Sequence, residues 1–281
     1  MEYDIIKVKP IAGALGAEVS GISMAEPLGN QAFNEVHDAL MAHQVLFFRD
    51  QNVSPGEHVK FARHFGSLHV HPYAPRHDEH PEVLILRSSK ANRSAANAWH
   101  SDVTFQPEPP LGLILLARTV PEHGGDTMWA NMYMAYESLS SPMKRYLDGL
   151  SALNTAGRAN FEKSYDKLSE SDQKDIHSGR LADTGTEHPI VRTHPVTGRK
   201  ALYVNSIFTQ KIVGVSSKES RTMLTYLFEH LKKPEFTCRF RWESGSVAFW
   251  DNRCTQHYAI ADYGDETREM HRVTVNGDRP R

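Results

Sequence analysis

The chain has little cysteine: Cys238 and Cys254 are the only two in 281 residues. Two thiols build no disulfide framework, and their scarcity points to a reducing, cytoplasmic setting. No apolar run approaches the length of a membrane span, so no membrane partner is expected. The start, Met1-Glu2-Tyr3-Asp4, carries acids and no apolar signal core. An excess of one charge is also missing. Lys and Arg number 32 against 34 Asp and Glu, a formal charge of −2. That balance draws the whole molecule to neither nucleic acid nor an anionic surface. Internal repeats and low-complexity linkers are absent, so one domain over residues 1–281 is expected. Hydrophobic residues make up 40% of the chain, enough for a packed core.

What is present is a succession of short strand signals with a few helices. Ile5 to Val8 and Val45 to Phe48 read as strands, the second buried on both faces. Phe33, Val36, Ala39, Leu40 and His43 fall at helical spacing within 31–43. Ser54-Pro55-Gly56-Glu57 is an N-cap with Pro at the first helical position, opening a helix to about His64. Residues 68–98 are polar and broken, with one strand at Val83 to Leu86. Further strands are expected at Leu111 to Ala117 and Thr127 to Trp129. A helix follows from Met132 to Leu150, with a possible break at Ser141-Pro142. Residues 151–188 are poor in strand signals and read as an insertion or lid near the site. Beyond them, Ile190-Val191, Ala201 to Val204, Phe236 to Trp242, Ser246 to Trp250 and Arg272 to Val275 restore the strand pattern, with an amphipathic helix over 217–232. The expected fold is mainly β, a jelly-roll core carrying helical insertions.

His100-Ser101-Asp102 carries the chemistry. In an extended segment residues i and i+2 point the same way, so this histidine and carboxylate can bind one metal from one face. His257 is the best candidate for a third ligand from a distant strand. Two imidazoles and one carboxylate on one side of a metal leave positions open, the facial arrangement of iron(II) oxygenases. His-x-Asp alone is weak among 16 histidines, and a surface histidine beside a solvated aspartate fits it as well. The flanking Trp99 and Val103-Thr104-Phe105 weigh against that, because an apolar, strand-like setting demands a partner for the carboxylate. His69-Val70-His71 is also a metal-type pair by spacing, but no carboxylate matches it. Arg268 follows His257 by eleven residues. By itself it reads as a solvated charge among Asp265, Glu266 and Glu269.

Taken together, these features resemble the Fe(II)/2-oxoglutarate-dependent dioxygenases, and most closely the taurine dioxygenase/2,4-dichlorophenoxyacetate dioxygenase family. Gly13 to Gly21 and Gln44 to Gln51 are similar to the family's opening. Trp99 to Phe105 matches its metal strand, with Ser101 where Thr is common. Gly124-Gly125-Asp126-Thr127, His194-Pro195-Val196-Thr197-Gly198 and Trp250-Asp251-Asn252-Arg253 follow in the expected order. The resemblance covers nearly the whole chain and implies a double-stranded β-helix.

It also implies roles. His100, Asp102 and His257 would hold Fe(II), and Asp102 speaks against a halogenase, where a small residue stands instead. Arg268, a planar and always-charged donor, would grip the far carboxylate of 2-oxoglutarate with help from Thr127. Along an extended strand Arg268 and Arg272 share a face. Arg272 with His71 would clamp the anionic head of the substrate, although His71 alone reads equally as a loop histidine. Val103 and Phe208 would line the pocket. The expected reaction consumes O2 and 2-oxoglutarate, releases succinate and CO2, and hydroxylates a small sulfonate, alkyl sulfate or aryloxyalkanoate near its anionic group. The chain departs from taurine enzymes at Ala95 to Ala98, at Tyr73 and at Asn154-Thr155-Ala156, where amine and small-substrate contacts are lost, so a larger or less polar tail is expected. His123 to Thr127 and Thr237 to Trp242 lean toward the aryloxyalkanoate branch. A homo-oligomer is expected. The competing reading is a non-catalytic metal- or anion-binding jelly roll, which has no need of Arg268.

Overall fold

The computed structural model describes residues 2–71, 75–88, 96–156 and 185–281. Its main sheet is built from β1 (Lys7–Pro10), β2 (Ala17–Ser20), β3 (Val45–Phe48), β4 (Leu68–His69), β5 (Leu84–Ser88), β6 (Gly112–Thr119), β14 (Val247–Asp251) and β16 (Arg268–Val275). The order is β1-β2-β3-β14-β6-β16-β4, with β5 also paired to β16. A smaller sheet runs β13 (Thr237–Phe240), β7 (Thr127–Asn131), β15 (Thr255–Ala259). Two accessory sheets complete the strands among the described residues. One joins β12 (Thr209–Ile212), β8 (Ser151–Asn154) and β9 (Thr186–Pro189). The other joins β10 (Val191–Thr193) and β11 (Lys200–Leu202).

Strand alternation explains the layering. On β3, β6 and β14, Val45, Phe47, Leu113, Leu115, Ala248 and Trp250 face the smaller sheet, where Trp129, Cys238, Phe240 and Trp242 meet them. Leu46, Phe48, Ile114, Leu116, Val247 and Phe249 point the other way, into helices. Those helices are α1 (Asn30–His43), which buries Val36, Ala39 and Leu40, and α2 (Pro55–Arg63), which buries His58, Val59, Phe61 and Ala62. The central strands therefore lack a polar face, which is why they read as continuous apolar runs. This is the expected jelly roll with a helical layer.

Several boundaries differ from the sequence reading. The expected helix over 132–150 is two helices, α3 (Met132–Glu137) and α4 (Ser141–Leu147). Ser140 caps the second, and Pro142 in its first turn cannot continue the first helix. The presumed insertion begins and ends in strand: β8 and β9 pair antiparallel from Ser151–Pro189 to Asn154–Thr186. Their polar sequences hid this, because each is specified by its partner rather than by its own pattern. Residues 157–184, where a lid was expected, lie outside the described residues, as do Ala95 and Pro72-Tyr73-Ala74. The amphipathic helix expected over 217–232 is α5 (Ser217–His230), opened by a Ser216/Glu219 capping box.

Candidate metal centre

His257 lies on β15, opposite Trp129 of β7. His100 docks on the other side of His257: its N–H donates to the His257 carbonyl at 3.1 Å, and the His257 N–H returns a bond of 2.8 Å. The expected metal strand is therefore an isolated bridge at His100, not a strand. The chain turns at residues 102–105, with Val103 at φ 58. The two imidazoles stand 4.1 Å apart between ring centres.

Asp102 joins them. Its Oδ1 is 3.9 Å from His100 Nε2 and its Oδ2 is 3.6 Å from His257 Nε2. These separations are too long for good hydrogen bonds. One donor atom from each residue lies within 4.8 Å of the others, as one shared ion requires. His100 Nδ1 sits 2.8 Å from the Ala98 carbonyl, which fixes the proton there and leaves Nε2 bare as a donor. Asp102 Oδ2 is buried and has no hydrogen-bond partner among the described residues. Burial works to raise the Asp102 carboxyl, but Arg272, His257 and His100 outweigh it and hold it down at about 2. Burial, reinforced by His100, pushes His257 down to about 3. At neutral pH the cluster thus offers an ionised carboxylate beside a neutral imidazole, the protonation states that metal binding needs. A two-histidine, one-carboxylate set of this chemistry fits iron(II).

His194, Asp251 and Cys254 form another close donor group. Its carboxylate is already spent: Arg253 Nε and Nη2 donate to the two Asp251 oxygens at 2.9 and 2.6 Å, and His194 Nε2 meets Oδ2 at 2.9 Å. That cluster locks the β14–β15 turn and leaves no oxygen for an ion. A cavity of about 640 Å³ opens at Arg76, His77 and Arg87, on the edge of β5, and does not border the triad. The donors, not cavity size, locate the chemistry.

β16 delivers two arginines. Its pairing with β5 is unbroken from Arg268–Ser88 to Arg272–Leu84, so Arg268, Met270 and Arg272 share the inner face as expected. Arg272 Nη1 reaches Asp102 Oδ1 at 3.2 Å. Arg268 is 7% exposed, not solvated, and makes no ion pair among the described residues. Its Nε donates to the Gly125 carbonyl at 3.2 Å and its guanidinium lies 5.8 Å from the Trp242 ring. Gly124 and Gly125 adopt φ of 77 and 70, and a Cβ on Gly124 would come within 2.5 Å of Asp262 Oδ1. Only glycine lets this turn bring its carbonyl to Arg268. Trp242 Nε1 donates to Thr127 Oγ1 at 3.0 Å, so the threonine hydroxyl keeps its own proton to give elsewhere. Thr127 and Arg268 therefore share one buried cluster.

Of the remaining candidates, His71 is the one that feels Arg272. His71 is half-buried, and its imidazole is pushed down to about 4, first by burial and next by Arg272. Phe208 stands 6.5 Å from the His100 ring and 5.3 Å from Phe105. Val103 is half-buried beside Asp102. Asn154 is not a pocket residue: it is fully buried and accepts from Thr209 Oγ1 at 2.8 Å. Sequence reasoning missed Gly125 and Trp242 as partners of Arg268 and Thr127, and missed Asn252 altogether. All three sit in runs that stood out only as family marks.

A jelly roll that presents two histidines and a carboxylate within reach of one ion has the architecture of a non-haem metal oxygenase. A family model described as taurine catabolism dioxygenase TauD, TfdA family matches residues 7–274. The chain belongs to that family. It is 39% identical to an alkylsulfatase of Acinetobacter baylyi, over 97% of this chain and 86% of that protein. It is 36% identical to an alpha-ketoglutarate-dependent sulfate ester dioxygenase of Pseudomonas putida, over 98% of this chain and 91% of that one. The crystal structure of a taurine dioxygenase from Burkholderia xenovorans superposes with a TM-score of 0.84 at 38% identity, covering 99% of this chain and 93% of the other.

Proposed function

We propose that this protein oxidises a small alkyl sulfate ester, and more weakly an alkyl sulfonate, at the carbon beside the anionic group. It is an iron(II)- and 2-oxoglutarate-dependent dioxygenase, and the non-catalytic reading falls with its membership of this family. The observation that carries the proposal is the pair of arginines on one strand, Arg268 buried without a carboxylate partner among the described residues and Arg272 3.2 Å from Asp102. A buried cation without an anion is costly, so Arg268 invites one.

In this reading His100, Asp102 and His257 hold the iron. Iron(II) held there would, with 2-oxoglutarate and O2, supply the oxidising chemistry whose co-products are succinate and CO2. Arg268 forks onto the far carboxylate of 2-oxoglutarate, and Thr127 donates its free hydroxyl proton to the same group. Arg272 turns from Asp102 to the sulfate head, with His71 beside it. Val103 and Phe208, together with Phe105, offer an apolar wall to the tail. A hydroxyl placed on the carbon that bears the ester oxygen makes the product collapse to an aldehyde and free sulfate. The similarity to an alkylsulfatase and to a sulfate ester dioxygenase supports this class over aryloxyalkanoates. We also read the enzyme as one domain and a homo-oligomer working in the cytoplasm. Both cysteines are buried and unpaired, and no helix among the described residues is long and apolar enough to cross a membrane.

The test is succinate and sulfate release against linear alkyl sulfates of increasing length, alkyl sulfonates, taurine and aryloxyacetates. Medium-chain alkyl sulfates should turn over best. Taurine or an aryloxyacetate as the best substrate would overturn the substrate class. Absence of succinate formation with every acid in the panel would leave the head-group reading without support.

A further inference from the structure

We infer that Asn252 is a positioning residue for the metal carboxylate. The inference rests on the reading of His100, Asp102 and His257 as the iron site. Asn252 is fully buried in the turn between β14 and β15. Its side-chain Oδ1 accepts from the Asp102 N–H at 2.8 Å, and its Nδ2 donates to the Asp102 carbonyl at 3.0 Å. The same Nδ2 reaches the Pro110 carbonyl at 3.3 Å. One amide therefore grips the main chain of Asp102 on both sides, and its orientation is fixed because the oxygen must face an N–H.

The grip matters because the next residue in the chain is strained. Val103 has φ 58, a left-handed conformation that is unfavourable for a β-branched side chain. Released, the peptide would relax toward the extended region and swing the Asp102 carboxylate away from the two imidazoles. Asn252 is well placed to resist this. Its own N–H donates to the Leu111 carbonyl at 2.9 Å. Its neighbours Asp251 and Arg253 are tied to each other, and Asp251 is also tied to His194. Ser101 Oγ adds a bond of 2.7 Å to the Thr255 carbonyl, so the segment between the two adjacent ligands is stitched to the strand that carries the third. Asn252 meets Asp102 only at its main chain, so its effect on the carboxylate passes through the Asp102 backbone.

The test uses the purified metal-free chain and Co(II), followed by visible absorption at a temperature where every variant is folded. Asn252→Ala should weaken Co(II) binding by about tenfold to a hundredfold, the range for lost outer partners of metal ligands. In a Val103→Gly background, where the strain is gone, the same substitution should cost less than about threefold, a non-additivity that a merely structural role does not produce. Asn252→Ser, which keeps one donor, decides the matter if the alanine variant does not fold, and is expected to bind Co(II) more weakly than wild type. Co(II) affinity within about twofold of wild type in the deciding variant, or additive effects of Asn252→Ala and Val103→Gly, overturns the inference. Wild-type protein that takes up no Co(II) would count against the iron reading itself.

Discussion

Arg272 is a cation with two claims on it. It pairs with Asp102 at 3.2 Å, and on the proposed function a sulfate head would offer it a second anion. Truncation to alanine in Arg272→Ala should weaken substrate binding by roughly 2–5 kcal/mol, by analogy with other paired charges. Iron and 2-oxoglutarate should still bind, and 2-oxoglutarate should be consumed slowly without matching product. The ratio of succinate to sulfate measures this, and a ratio near one would sink the clamp. Arg268→Lys keeps the charge but loses the planar fork, so 2-oxoglutarate affinity should fall by roughly tenfold, the worth of one charge-assisted hydrogen bond. The anaerobic titration of the visible charge-transfer band reads it. An unchanged affinity would return Arg268 to a structural partner of Gly125 and Trp242. Asp102→Ala should abolish iron binding, because no other carboxylate among the described residues stands with the two imidazoles.

At the scale of elements, α2 has a well-specified N-terminus. Ser54 accepts from the Glu57 N–H, and the Glu57 carboxylate accepts from the Ser54 N–H at 2.7 Å, a complete capping box. Ser54→Ala should cost about 1 kcal/mol in urea unfolding and leave Co(II) and 2-oxoglutarate binding unchanged. Such boundaries were legible because caps and apolar spacing are local. α1 was readable from Val36, Ala39 and Leu40, and His100, Asp102 and His257 could be singled out by their spacing and order, whereas Arg268 and Arg272 stood out only through the family resemblance. β8 and β9 were not readable, because their partners decide them; a strand was expected at His257, but its bounds were not. Nor was the turn at Val103: nothing in a valine announces a left-handed backbone, which the surrounding hydrogen bonds impose. Asn252 was invisible for the same reason, since its role exists only where two segments about 150 residues apart meet.

For the molecule as a whole, the main sheet is enclosed on both faces, and one titratable group sits inside that enclosure. His58 on α2 is buried, and its ring Nε2 lies 3.1 Å from the Ile114 carbonyl. Burial dominates its titration and holds it down at about 3, against the pull of that carbonyl, with His271 and Arg118 adding repulsion. An unfolded chain would protonate the same imidazole near 6.5. The folded state therefore binds fewer protons below that pH, and stability is full above it and is lost as pH falls, by at most about 1.4 kcal/mol per pH unit from this group. Other buried histidines add to the fall, so the readout is the difference between wild type and His58→Gln in urea midpoints from pH 7 to pH 4. The gap between the two proteins should narrow toward acid. A pH-independent gap would mean that His58 does not stay neutral in the fold.

β16 also acts as a ruler. Arg268 and Arg272 are separated by four residues of extended strand, about 13 Å along its axis; the pairing with β5 is continuous across that interval, while the pairing with β6 shifts register between Glu269 and Met270. If the two arginines hold two anions as proposed, the spacing between those anions is a property of backbone geometry and not of side-chain choice. One residue inserted or deleted between the marks would turn one arginine to the opposite face, among the buried side chains under α2. Length change in this strand is then all-or-nothing. On the proposed reading, new substrates would be reached by altering the walls proposed for the tail, at positions such as Val103 and Phe208, while the two marks stay where they are.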